Sequence, residues 1–97
     1  MRPSKLSGEE REARLKHCPS WKDEGDLISR TFQFETYLDG VDFAKAVAEL
    51  AEEANHHPDM LIGYRKVTVT LTTHDAGGVT VLDVELAERI EALIGEN

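Results

Sequence analysis

Disulfides are excluded from this sequence. Cys18 is its single cysteine, so no internal bridge can form. It reads as a small packing residue rather than a nucleophile, and a chain without disulfides fits a reducing, cytoplasmic setting. Positive charge is also scarce: Lys and Arg number 11 against 19 Asp and Glu, a net charge of −8. An acidic surface repels phosphate backbones and anionic membranes, so no direct nucleic-acid partner is expected. No apolar run approaches the length of a membrane span. The opening MRPSKLSGEEREARLK lacks the apolar stretch of a secretory signal. Repeats, low-complexity tracts and linkers are missing as well. So is the metalloprotease pattern HExxH. Ser4, Ser7, Ser20 and Ser29 stand in no nucleophile-elbow context, and Gly77-Gly78 reads as a turn rather than a phosphate cradle.

What is present is a globular balance, 40% hydrophobic and 31% charged, which points to one domain over residues 1–97. A domain of this size has a limited core that association would extend. After a loose arm at residues 1–6, SGEE reads as a helix start, with Ser7 capping and Glu10 reaching back; the helix runs to about Leu15. Residues 21–24 and 26–35 read as two strands around a turn at Gly25. In the second, Ile28, Phe32 and Phe34 share parity and Arg30 breaks it. LDGVDFAKAVAELAEEAN is a helix capped by Asp39, with a stripe of Phe43, Val47, Leu50, Ala51 and Ala54. Pro58 ends it near His56. Residues 60–63 read as a short strand. YRKVTVTLTTH follows, with Val67, Val69 and Leu71 on one face and Thr68, Thr70, Thr72 and His74 on the other. Thr80, with Asp83 three residues on, caps a last helix whose apolar side is Leu86, Ile90, Leu93 and Ile94. The order helix, two strands, helix, two strands, helix predicts an α+β domain, an antiparallel sheet with helices on one face. The sheet's other face must then meet solvent, a ligand or a partner.

Three of the four histidines, His56, His57 and His74, cluster around this middle region. Each has a bland reading, as a helix-end or turn residue. Their arrangement suggests more. Glu52 and His56 are four apart, on one face if the helix lasts that long; a carboxylate beside an imidazole orients the ring and favours its charged form. His57 is set extended by Pro58 and points elsewhere, and His74 sits on the polar parity of its strand. Three imidazoles in different surroundings can divide acid and base work. Three histidines are also enough for a zinc site, but sequence neighbours rarely both turn inward to one ion, and no metal is expected.

The spacing E-x-x-x-H-H-P over residues 52–58, five residues to Tyr64, nine to His74 and eight to Asp83 resembles the signature of the pterin-4a-carbinolamine dehydratases. LKHCPSW, ISRTFQF and LTTH are similar to that family too. The resemblance implies a four-stranded antiparallel sheet with three helices on one face. It implies dehydration of a 4a-hydroxytetrahydropterin to quinonoid dihydropterin, which recycles the cofactor of aromatic amino acid hydroxylases, with no metal or organic cofactor. It implies His56, His57 and His74 as the catalytic trio: His56 and His74 as acids from opposite ring faces, His57 near N5. Glu52 would tune His56. Glu52, Pro58, Thr73, Asp75 and Asp83 join the histidines as substrate-binding residues, although Asp83 also reads as the capping acid opposite Thr80. Trp21 either walls the pocket or fills core. Asn55 and Leu82 depart from the acid and arginine of the family pattern. Implied partners are a pterin, a second copy in a homodimer or homotetramer joined at sheet edges, and an aromatic amino acid hydroxylase. The alternative is a non-catalytic interaction protein on the same fold, as a coactivator or a Rubisco assembly factor.

Overall fold

In a computed structural model, residues 3–95 are described. The elements are α1 (Gly8–Leu15), β1 (Lys22–Asp23), β2 (Ile28–Gln33), α2 (Tyr37–Ala54), β3 (Asp59–Gly63), β4 (Lys66–Leu71), a 3₁₀ turn (His74–Ala76) and α3 (Val81–Leu93). The strands form one antiparallel sheet in the order β1-β2-β4-β3. The α+β architecture is as predicted. β1 is only two residues long, and His74 does not continue β4 but opens the 3₁₀ turn.

Strand alternation sorts the sheet into two faces. Ile28, Phe32, Val67, Val69 and Leu71 are buried, while Thr31 and Gln33 on the opposite parity are exposed. The helices cover the first face. α2 contributes Phe43, Val47 and Ala51, and α3 contributes Val84, Leu86, Ala87 and Ile90. Gly40 lets α2 lie close on the sheet, since a Cβ there would sit 3.4 Å from both Phe34 and Val67. Leu50 packs at the margin of the core, while Ala54 and Leu93 from the predicted stripes are exposed.

Arg30 breaks the apolar parity of β2 for a reason. It lies over the Phe32 ring, 4.4 Å from the centroid, and is ion-paired to Glu91 of α3, which is buried. The Trp21 indole N–H donates to the same carboxylate at 3.3 Å. Trp21 thus fills core, packed edge-on against Phe32. Cys18 is buried too, and burial is the main reason its thiol is pushed up to about 11. It stays neutral and unreactive at physiological pH.

The helix starts follow capping chemistry. Ser7 and Glu10 form the predicted capping box on α1, and Thr80 and Asp83 form one on α3. α2 departs from prediction: its cap is Thr36, whose side chain accepts from the Asp39 N–H, so Asp39 lies in the first turn. The described part of the N-terminal arm is not loose. Leu6 is buried and its N–H donates to the Val79 carbonyl at 2.8 Å. No helix among the described residues is long and apolar enough to cross a membrane.

Candidate active site

The end of α2 decides where the histidines go. Asn55 takes the left-handed conformation, φ 51°, ψ 41°, which asparagine tolerates better than most residues. Its N–H bonds to the Glu52 carbonyl and the His56 N–H bonds to the Ala51 carbonyl. This paired closure of the last turn is a Schellman motif. The left-handed step takes His56 off the helical path, so the i, i+4 relation to Glu52 no longer applies. The predicted Glu52–His56 pair does not form.

His56 instead turns inward to Asp83. Its Nε2 lies 2.5 Å from Asp83 Oδ1, with His56 8% and Asp83 0% exposed. The other oxygen, Oδ2, accepts from the Thr80 N–H at 2.9 Å and from the Thr73 hydroxyl at 2.8 Å. Thr73 has one hydroxyl proton, spent on Asp83, so the 2.9 Å contact with Thr80 is donated by Thr80. The Leu82 N–H in turn donates to the Thr80 oxygen. Every polar group around this buried carboxylate is satisfied. Asp83 therefore sits behind His56, fully buried. It caps α3 and fixes the His56 ring at once. With Nε2–H donated to Asp83, Nδ1 is the nitrogen left for proton exchange.

Glu52 pairs with His57, Nε2 to Oε2 at 2.5 Å, on the surface, where the two side chains are 57% and 77% exposed. His57 follows the left-handed step and precedes Pro58, so its ring falls back across the helix end towards Glu52.

His56 and His57 border an open cleft of about 230 Å³. Asn55, His56 and His57 form one side, and residues 72–75 form the other. The three predicted histidines thus meet at one cleft, together with Thr73 and Asp75. Glu52, Pro58 and Asp83 do not line it. Asn55 and Thr72 do, and were missed as site residues. Asn55 was legible in principle, because an asparagine at a helix end marks the left-handed position from which the chain turns. Thr72 is held by its hydroxyl donating to the Asp26 carbonyl at 2.6 Å, a contact across 46 residues that no local pattern announces. No cluster of three or more His, Cys, Asp or Glu able to hold a metal occurs among the described residues.

The sequence matches the family model described as Pterin 4 alpha carbinolamine dehydratase over residues 4–93. A Natronomonas pharaonis protein, named provisionally as a pterin-4-alpha-carbinolamine dehydratase, is 55% identical over 92% of this chain and 95% of its own length. A Sulfurisphaera tokodaii protein with the same provisional name is 46% identical over 93% of this chain and 97% of its own. The crystal structure of a transcriptional coactivator/pterin dehydratase from Brucella melitensis superposes with a TM-score of 0.88 at 33% identity, covering 95% of this chain and 100% of that one. A pterin dehydratase-like protein identified as a RuBisCO assembly factor in the alpha-carboxysome gives a TM-score of 0.68 at 30% identity, covering 84% and 96%. The chain belongs to the pterin 4 alpha carbinolamine dehydratase family.

Proposed function

From that membership, we propose that the chain dehydrates a 4a-hydroxytetrahydropterin, with His56, His57 and His74 as its catalytic residues. The observation that carries this reading is the cleft itself: three imidazoles converge on it, and one is locked from behind by a buried carboxylate. In the reaction the 4a oxygen takes a proton, the C4a–O bond breaks and its electron pair leaves with water. The N5 lone pair closes the N5=C4a double bond, and the N5 proton passes to a base. Hydroxide is a poor leaving group, so an acid at the oxygen and a base at N5 are both needed. His56, exchanging its proton at Nδ1, and His74 on the opposite wall serve the oxygen from the two faces of the ring. His57, held by Glu52, stands near N5. Thr73 and Asp75 line the side that receives the pterin. The product feeds the regeneration of a reduced pterin for an aromatic amino acid hydroxylase.

The direct test is turnover of chemically generated 4a-carbinolamine, followed by ultraviolet absorbance. Acceleration over the buffer rate is expected; none would refute the reading. Imidazoles carry the protons, so activity should survive prolonged chelation and dialysis. Stoichiometric zinc whose removal abolishes turnover would overturn that part.

A non-catalytic interaction role is the second reading, supported by the likeness to the RuBisCO assembly factor; the same assay separates the two. The chain also assembles, in this proposal, as a homodimer or homotetramer. Leu61 and Ile62 on edge strand β3, and Tyr64 in its hairpin, are exposed, and an open apolar edge favours pairing. A monomer by light scattering at micromolar concentration would refute it.

A further inference from the structure

His56 and His57 each have a carboxylate partner, whereas the His74 ring makes no hydrogen bond to another described residue. Its placement therefore rests on the backbone that carries it. That backbone is a tight turn. The Thr73 N–H bonds to the Gly78 carbonyl at 3.0 Å, and the Gly77 N–H to the His74 carbonyl at 3.0 Å. Gly77 closes the 3₁₀ turn with φ 78°. The turn is gripped at both ends. On the entry side the Thr73 hydroxyl is bound by Asp83. On the exit side the Val79 carbonyl accepts from the Leu6 N–H at 2.8 Å.

The exit grip belongs to the N-terminal arm. Leu6 is seated in the core, and its carbonyl accepts from Arg11 Nη1 at 3.3 Å, while Arg11 Nε pairs with Asp23 at 3.0 Å. One residue later the Ser7–Glu10 capping box starts α1. Leu6 is thus tied to α1 and, through Arg11, to β1. Lys5 lies flat against the turn, so close that a Cβ at Gly78 would fall 2.7 Å from its Cδ. A side chain at position 78 would force the Lys5 side chain to move aside.

We infer that the arm residues Lys5 and Leu6 are positioning residues for His74, holding the Thr73–Val79 turn at the angle the cleft requires. This rests on the dehydratase reading, and its test is built to be read separately. In full-length Leu6→Ala, the side chain that seats the arm is lost while the backbone bonding groups remain. Leu15→Ala, another buried leucine but on α1, is the control for general destabilisation. Backbone amide exchange by NMR should show Thr73, Gly77 and Gly78 opening roughly tenfold faster in Leu6→Ala, with Val67 and Val69 of β4 changing no more than in the control. The His74 ring resonances should shift in Leu6→Ala and stay put in Leu15→Ala. With carbinolamine as substrate, kcat should fall about tenfold at little change in KM, since misplacing a reacting group affects the chemical step. Leu6→Met should restore both readouts. If Leu6→Ala does not fold, Leu6→Val is scored in the same way. Turn amides that loosen only in step with β4, as in the control, would overturn the inference. So would a loosened turn with wild-type kcat. The exchange and ring measurements need no pterin, so an inactive wild type would strike the dehydratase reading and leave the arm–turn coupling decided on its own data.

Discussion

His56 and His57 are neighbours in the chain, and each has a carboxylate oxygen 2.5 Å from Nε2. By contact geometry alone they are the same pair twice. Burial separates them. His56 and Asp83 are 8% and 0% exposed, His57 and Glu52 57% and 77%. A buried, fully hydrogen-bonded carboxylate acts as a fixed part of the frame, and breaking it leaves its donors stranded. An exposed pair exchanges its partners with water and is screened by salt. Identical distances thus describe a rigid imidazole on one side of the cleft and an adjustable one beside it.

The largest effect should come from cutting the frame. Asp83→Ala strands the His56 N–H, the Thr73 hydroxyl and the Thr80 N–H, and removes the acid of the α3 capping box. It should lower unfolding free energy by about 3–5 kcal/mol, read by urea denaturation. Dehydration should fall a hundredfold or more, because His56 loses its orientation. A variant as stable as wild type would show that Asp83 is not the fixed member of this comparison. His56→Ala sharpens the point: two of the three donors to Asp83 remain, so the rate should fall about a hundredfold to ten-thousandfold with less loss of stability than Asp83→Ala.

His74 supplies the middle case, exposed and without a carboxylate. His74→Ala should cost about a hundredfold or more in rate while unfolding within about 0.5 kcal/mol of wild type. Rate and stability are thereby uncoupled, as they cannot be at Asp83. Wild-type turnover in His74→Ala would remove it from the catalytic set.

The sequence carried the elements but not the pairings. Periodicity and caps placed α1, α3 and the sheet, because those signals are local. The start of α2 was misplaced, since Thr36 and Asp39 are both good caps one turn apart and the choice depends on how the chain leaves β2. Arg30 was legible as a break in parity, but its partner Glu91 lies 61 residues away on α3. The grouping of the histidines in one site was implied by the family resemblance. Their division of partners was not, because one left-handed residue, Asn55, exchanges which histidine Glu52 can reach. Asp83 was read correctly as a capping acid; that its second oxygen orders His56 depends on α3 packing against the end of α2.

The smallest effect tests the exposed half of the comparison. Glu52→Gln keeps the shape of the side chain and its capacity to hydrogen-bond but removes the charge facing His57. Both partners are mostly in water, so stability should change by less than about 0.5 kcal/mol. The rate should fall by less than about tenfold, well short of the loss at His56. The difference from wild type should also shrink as salt rises from about 0.01 M to 1 M, because the screening length contracts from about 30 Å to about 3 Å. Asp83→Asn run in parallel should show little such dependence, its neighbourhood being closed to ions. If Glu52→Gln instead cost as much as Asp83→Asn, and did so equally at low and high salt, the His57–Glu52 pair would have to be shielded when substrate binds. The contrast between the two pairs would then not hold during turnover.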